Sequence, residues 1–338
     1  MVSYIIRRAL LGVLILVGVS ILTFLLARVV PSNPAARWVG PHATEGQIAV
    51  ARIELGLDKP LYVQYLVYVG NFVQGDWGLS IRTHQPVLKE IFRYLPASLE
   101  LIITGMLLAI GIGLPLGVLS AARSGGPIDH VSRLFAGIGL GMPTFWLGMI
   151  LQLIFFKQLG WFPLAERIDT IVKIAHPIKQ ITGLYLFDSL ITGNFTAFGN
   201  AAMHVVLPAV TLAAFPLGMI IRMTRATMLE VLSEDYIRTS RAYGIHEVKI
   251  LIKYALRNAI GPVLTVSALA FAYALVETFL IESIFAWPGL GYYASRGIMV
   301  VDYPVIMAVT TLIASIYVTV NLLVDFSLTL FDPRIRVD

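Results

Sequence analysis

Six apolar segments constrain this chain more than any other feature. They run 9–30, 98–121, 134–156, 204–224, 259–281 and 304–330. A bilayer core about 30 Å thick is crossed by about 20 apolar residues in a helix, and each segment reaches that length. No water reaches that depth to satisfy free backbone groups, so such segments must be helical. Composition agrees: 57% of residues are apolar and 13% charged, against about 45–50% and about 25% in soluble domains. The expected fold is an all-α polytopic membrane protein with six transmembrane helices. The first run is followed by no small-residue cleavage site, which reads as an uncleaved span and not a signal peptide.

Orientation follows from Lys and Arg in the short polar segments. Thirteen stand on one side: Arg7, Arg8, Arg123, Arg133, seven from Arg222 to Arg257, Arg334 and Arg336. The other side has Arg167, Lys173, Lys179 and Arg296. Six more lie in 31–97, a loop too long for its charge to govern insertion. Both termini and the 225–258 loop are therefore expected in the cytoplasm. The chain then divides into 1–30 (N-terminus and first span), 31–97 (external helical segment), 98–156 (spans two and three), 157–203 (external segment), 204–330 (spans four to six, with a cytoplasmic loop at 230–258) and 331–338 (cytoplasmic tail). The net charge of +5 reports this bias and does not point to nucleic acid; the lipid bilayer is the surrounding partner.

The 31–97 segment opens on Pro31-Ser-Asn-Pro34, a helix stop and turn. A helix over 45–55 would be capped by Thr44 and ended by Gly56. Another over 60–74 would carry Leu61, Tyr65, Leu66 and Val69 on one face, and Gly75-Asp-Trp-Gly78 would turn the chain. Together these make a small helical external cap, serving either to join two spans or to dock a partner. Gly113-x-x-x-Gly117 and Gly137-x-x-x-Gly141 would allow close helix approach. Pro115, Pro143, Pro208 and Pro216 interrupt their spans. Leu184-Tyr-Leu-Phe187 is too short to span and reads as packing or an interfacial element.

Ionisable residues at membrane depth cost about 2.5–3.5 kcal/mol on insertion scales. Glu277 either lines a polar path or makes a bundle contact, and both readings stay open. Pro143, Phe145 and Asn321 join it as candidate path residues. Glu100 opens span two, Glu282 and Asp325 read as boundary residues, and Arg222 and Arg225 would snorkel to the interface. His176 and His204 have no second ligand at metal spacing. Cysteine is absent, which excludes disulfides and thiolate chemistry. Neither GxxxxGK[ST], HExxH nor GxSxG occurs, so no cofactor site, metal site or catalytic residue is assigned. A Glu277–Asp325 hydrolase dyad fails, because the two lie on different spans at opposite depths.

The longest polar run of the second half is Glu230–Pro262. Ser233-Glu-Asp reads as a helix start and Gly244 as its C′ stop. A second helix follows, with Val248, Leu251, Ile252, Ala255 and Leu256 on its apolar face. Lys249, Lys253 and Arg257 form a basic stripe. This helix–Gly–helix resembles the EAA loop of binding-protein-dependent ABC importer permeases, in the oligopeptide/dipeptide version. Counting back from Gly244 puts Arg238-Thr239-Ser240 where the general pattern has Glu-Ala-Ala. The peptide branch is similar to Asp235-Tyr-Ile-Arg-Thr-Ser-Arg-Ala-Tyr-Gly244 and to Ala255-Leu-Arg-Asn258. Tyr4-Ile-Ile-Arg-Arg8, Glu277 with Ala286-Trp-Pro-Gly-Leu-Gly291, and Asp332-Pro-Arg-Ile-Arg336 extend the likeness along the chain.

The resemblance implies a permease that forms half of a translocation path and is not itself an enzyme. Its partners would be a second homologous permease in a heterodimer, two ATP-binding-cassette ATPase subunits that bind ATP and Mg, and an extracytoplasmic substrate-binding protein. The site would be a bacterial or archaeal inner membrane. Glu234, Asp235, Tyr236, Ile237, Arg238, Thr239, Ser240, Arg241, Ala242, Tyr243 and Gly244 would form the ATPase-coupling helix. Tyr236, Ile237, Ser240 and Tyr243 would be its packed face, and Arg238 and Arg241 its charged one. Peptides are the family's commonest cargo; nickel chelates, glutathione or oligosaccharides are the alternatives. A secondary transporter or channel is the rival class, though no repeat relates 1–170 to 171–338.

Overall fold

The computed structural model describes residues 2–29, 33–40 and 42–331. Pro31, Ser32 and the Asp332–Arg336 motif lie outside the described residues. Among the described residues extended backbone pairs only once, at a bridge between Leu79 and Pro86.

The chain runs in order through α1 (Val2–Val29), α2 (Pro34–Val39), α3 (Glu45–Glu54), α4 (Leu61–Val73) and α5 (Val87–Ala122). Next come α6 (Pro127–Gly141) and α7 (Thr144–Leu151), the latter continuing into a π-wound turn at Gln152–Gln158. Two short helices, α8 (Thr170–Ala175) and α9 (Tyr185–Ile191), lead to α10 (Phe195–Leu232) and α11 (Asp235–Ala242). The single turn α12 (Glu247–Lys249), a π-wound stretch at Ile250–Leu256 and α13 (Arg257–Ile284) form one rod, followed by α14 (Leu290–Val300) and α15 (Tyr303–Phe331).

Among the described residues, five helices are long and apolar enough to cross a membrane, and α6 with α7 gives a sixth crossing if the bent pair counts as one. That pair bends by 111°. Met142 is extended at the break (φ −92°, ψ 128°), the conformation that a following proline imposes. Span three is thus broken at Pro143 and not continuous over 134–156. Pro115, Pro208 and Pro216, by contrast, lie inside unbroken helices. The helices also outrun their apolar segments. Apolar runs mark membrane depth, whereas helix ends are set by caps and turns. Helix α10 has 38 residues, about 57 Å at 1.5 Å per residue.

Two compact units divide the chain. One comprises Val2–Leu95 with Tyr292–Thr319. In it α1 packs on α4: Ser20 Oγ lies 2.8 Å from the Tyr65 hydroxyl, and buried Phe24 meets the Tyr65 and Tyr68 rings. Of the residues expected to share one face of α4, Tyr65 and Val69 are half-buried and Leu61 and Leu66 exposed. The expected α3 forms with a full Thr44–Gln47 capping box and Gly56 in the left-handed region (φ +63°). Trp77 in the Gly75–Gly78 turn stacks on Phe72 at 4.4 Å. Buried Asp302 accepts from Ser80 Oγ and from the Arg82 amide, and buried Glu90 accepts from Tyr293 and Thr83.

The other unit comprises Pro96–Gly291 and α15 from Val320 onward. Helix α10 is its axis and touches α6, α7, α8, α9 and α13. Glycines set the closest approaches, as small residues do between membrane helices. A Cβ on Gly113 or Gly117 would strike Ile220 or Thr224 of α10. Gly137 and Gly141 do not act as expected, because a Cβ on either meets nothing within 4 Å. Their neighbour Gly139 makes the close approach instead, against the Ala214 carbonyl.

Candidate coupling loop and buried polar network

Helix α10 ends at Ser233, whose Oγ and amide both donate to the Glu230 carbonyl. Ser233 therefore closes the preceding helix and does not cap the next one. Glu234 takes the N-cap position of α11 in extended backbone (φ −66°, ψ 147°), without a capping side-chain bond. Asp235 then puts negative charge at the positive helix end and meets Arg238 at 3.4 Å. Thr239 and Ser240 turn their hydroxyls back onto the Asp235 and Tyr236 carbonyls.

The stop at Gly244 forms as expected. Its φ is +71°, a region open to glycine at no steric cost. The Gly244 amide donates to the Arg241 carbonyl and the Ile245 amide to the Ser240 carbonyl. Those two bonds define a Schellman cap. Arg241 reaches across the turn to Glu247, at 2.8 and 3.2 Å, and that hydrogen bond raises the guanidinium's pKa.

Ile237 departs from its expected role. It is wholly buried, in a cluster with Ala121, Met228, Ile250, Ala255 and Ala259 of this same chain. It is therefore an inward pin and not part of an outward packed face. Tyr236 is 39% exposed and its hydroxyl accepts from Asn258 Nδ2 at 2.7 Å. Tyr243 is 82% exposed. Arg238, Arg241 and Ala242 are exposed as well, as are Lys249, Lys253 and Arg257. The expected apolar face beyond Gly244 is corrected in part: Leu251, Ala255 and Leu256 pack on the cluster as expected, whereas Val248 and Ile252 face outward and Ile250 is buried in their place. The π winding over 250–256 turns the helix less per residue than the 3.6 period assumes.

Of the candidate path residues, Pro143 stands at the α6–α7 bend as the N-cap of α7, and Phe145, two residues on, is 42% exposed. Helix α7 packs on α13, which carries Glu277. That carboxylate is half-buried, and its Oε2 is enclosed without a hydrogen-bond partner among the described residues. Asn321 is half-buried on α15.

The strongest polar links join residues that sequence reasoning had treated as boundary or snorkelling groups. Glu100 forms a buried ion pair with Arg167 at 2.5 Å and accepts from the Leu186 amide, while the guanidinium lies 3.7 Å over the Tyr185 ring. Glu282 is fully buried and accepts from Ser98 Oγ at 2.5 Å. Around it folds Ala286-Trp-Pro-Gly-Leu-Gly291: Trp287 Nε1 donates to the Ala97 carbonyl and the Leu290 amide to Ser98 Oγ. Arg225 does not snorkel. It forms two bonds with buried Asp129, at 2.6 and 2.9 Å, and Asp129 also accepts from Ser120 and the Gly125 amide. Asp129 was missed because a single acid beside a turn carries no sequence signal of its partner 96 positions away. Buried His204 meets the Asn200 carbonyl and Asp169.

A multi-pass helical membrane protein with a capped helix–Gly–helix loop between two spans is the class these features define. Residues 113–337 match the family described as "Binding-protein-dependent transport system inner membrane component". Residues 1–102 match its N-terminal companion, "Binding-prot-dependent transport system membrane comp, N-term". The chain belongs to this family: it is an inner-membrane, multi-pass permease component of an ATP-binding-cassette importer, a non-catalytic part of a larger transporter. It is 41% identical to the dipeptide transport system permease protein DppB of Alkalihalophilus pseudofirmus, over 99% of this chain and 100% of that one. It is 42% identical to the di/tripeptide transport system permease protein DppB of Pseudomonas aeruginosa, over 99% of both. The oligopeptide transport system permease protein AppB of Bacillus subtilis shares 38%, over 99% of this chain and 100% of that one. Family membership sets aside the secondary-transporter and channel readings.

Proposed function

We propose that this chain is the permease of a peptide importer and that α11 couples ATP hydrolysis by partner subunits to peptide movement. One observation carries the coupling role. Ile237 pins α11 to Met228 of α10, to Ile250 and Ala255, and to Ala259 of α13, while Tyr243, Arg238 and Arg241 stay exposed. Force on the exposed side then moves two spans together, as a lever on a two-state bundle requires. The peptide cargo is inferred from the relatives' names. In this reading both termini and α11 lie in the cytoplasm, two ATPase subunits bind ATP and Mg, a second permease completes the path, and an extracytoplasmic binding protein delivers cargo. Pro143, Phe145, Glu277 and Asn321 line this half of the path.

The test is co-purification and transport. The tagged permease should bring down an ATPase whose activity rises on adding the binding protein and a dipeptide. Replacing 233–244 with a flexible linker should abolish co-purification, and Gly244→Leu should leave assembly intact while stopping uptake. A permease that retains its ATPase without that segment, or normal uptake by the Gly244→Leu variant, would overturn the coupling role. Binding-protein stimulation by another solute class and not by peptides would overturn the cargo.

A further inference from the structure

Helices α6 and α10 meet closely where Gly218 approaches the Ala136 carbonyl and Leu140, and where Gly139 approaches Ala214. Towards the Arg133 end of α6 a wedge opens between them. It is a cavity of about 480 Å³ whose wall includes Arg133, Arg222 and Arg225 and whose floor includes Ala136, Gly137 and Leu140. This volume lies within the roughly 300–1,000 Å³ typical of small-molecule sites. Arg225 is neutralised by Asp129. Arg133 and Arg222 form no ion pair among the described residues. Both stand where apolar runs meet polar chain: Arg133 immediately precedes the 134–156 segment, and Arg222 falls at the end of 204–224. The wedge therefore lies at headgroup depth, with two uncompensated guanidinium groups and an apolar floor running into the membrane.

We propose that this wedge binds one anionic phospholipid, its phosphate held by Arg133 and Arg222 and an acyl chain laid along Gly137 and Leu140. Guanidinium groups suit phosphate because their donors match its oxygens in charge-assisted pairs. Basic pockets between membrane helices are recognised sites for anionic headgroups. The apolar floor is what a free anion would not use. A zwitterionic lipid would bring its own cation into a site that already holds two. Gly137 gives the chain its place, since a Cβ there meets nothing within 4 Å.

The experiment uses the purified, delipidated transporter complex and native mass spectrometry with phosphatidylglycerol or phosphatidylethanolamine. Phosphatidylglycerol should be retained preferentially, and Arg133→Gln with Arg222→Gln should weaken it by at least about tenfold, because both charge-assisted bonds to the phosphate are lost. Gly137→Leu places a helix-favouring side chain in the open groove. It should weaken phosphatidylglycerol binding with both arginines intact, and it decides the matter if the arginine variant fails to assemble. Undiminished phosphatidylglycerol binding by Gly137→Leu, equal retention of phosphatidylethanolamine, or displacement by inorganic phosphate or by a dipeptide would overturn the proposal.

Discussion

Ile250 and Ala255 stand five residues apart on one helix and are both fully buried in the cluster that holds Ile237. An α-helix places i and i+5 on different faces; the π winding over 250–256 brings them together. Ile250→Ala should therefore cost about 2–5 kcal/mol, the range for emptying a core position. Ile252→Ala, at a residue 60% exposed, should stay within about 0.5 kcal/mol. Thermal unfolding of the two detergent-solubilised variants separates the registers, and the opposite ranking would restore a plain α-helix.

Breaking the Asp129–Arg225 pair leaves a carboxylate that is 1% exposed without its cation. Arg225→Ala should cost about 3 kcal/mol, the low end for a severed buried pair because a quarter of the arginine side chain still meets solvent. Arg225→Lys should recover only part, since it cannot supply the two-pronged contact. Full recovery with lysine, read from the melting midpoint, would reduce the interaction to simple charge.

Gly289 and Gly291 leave no room for a side chain. A Cβ on the first would run into the Glu282 carboxylate, and on the second into the Phe279 backbone. Gly289→Ala should cost about 1–3 kcal/mol, the usual range for overpacking. Glu282→Gln in the same background should not relieve it, because the clash is steric. Yield and monodispersity by size-exclusion chromatography would show both effects.

What the sequence disclosed and what it hid divide along a physical line. Local chemistry was legible. Thr44 with Gln47, Gly56, Gly75–Gly78 and Gly244 act within a few residues of themselves, so caps and turns could be read directly. The spans were legible because burial in lipid demands an apolar run. Interactions across long sequence separation were not: Arg167 with Glu100 and Arg225 with Asp129 are 67 and 96 positions apart. Each looked like a lone charge near a membrane boundary. Ile252 was misread because the π winding over 250–256 changes which residues face inward, and Ile237 because α11 packs back onto a cluster of its own chain. The helix–Gly–helix was thus legible along the chain, while its inner and outer faces were partly exchanged.

Arg241 and Glu247 are both about half exposed, so their ion pair contributes only about 0.2–1 kcal/mol. Arg241→Glu should leave expression and melting midpoint nearly unchanged while abolishing peptide uptake. The double exchange Arg241→Glu with Glu247→Arg restores the pair inside the loop. If Arg241 acts by meeting an ATPase, the exchange should fail to restore uptake. Restored transport would show that the pair alone matters.

Asp188 gives a prediction in pH. It is fully buried and accepts from the amides of Ile181, Thr182 and Gly183 and from the Thr182 hydroxyl. Burial alone would push its carboxyl up, but these donors outweigh burial and hold it below the usual carboxylate range. A group whose folded pKa is depressed stabilises the fold above its unfolded pKa of about 3.9 and loses that contribution as pH falls through the folded value. Asp188→Asn presents an amide N–H₂ to donors that need acceptors, and should cost about 1.5–3 kcal/mol at neutral pH. The gap between the two proteins should be constant from pH 7 to about 5 and narrow below about pH 4. Melting midpoints from pH 7 to 3 measure it. A gap that persists unchanged at pH 3 would mean that the carboxylate's charge contributes nothing to holding 181–183 in place.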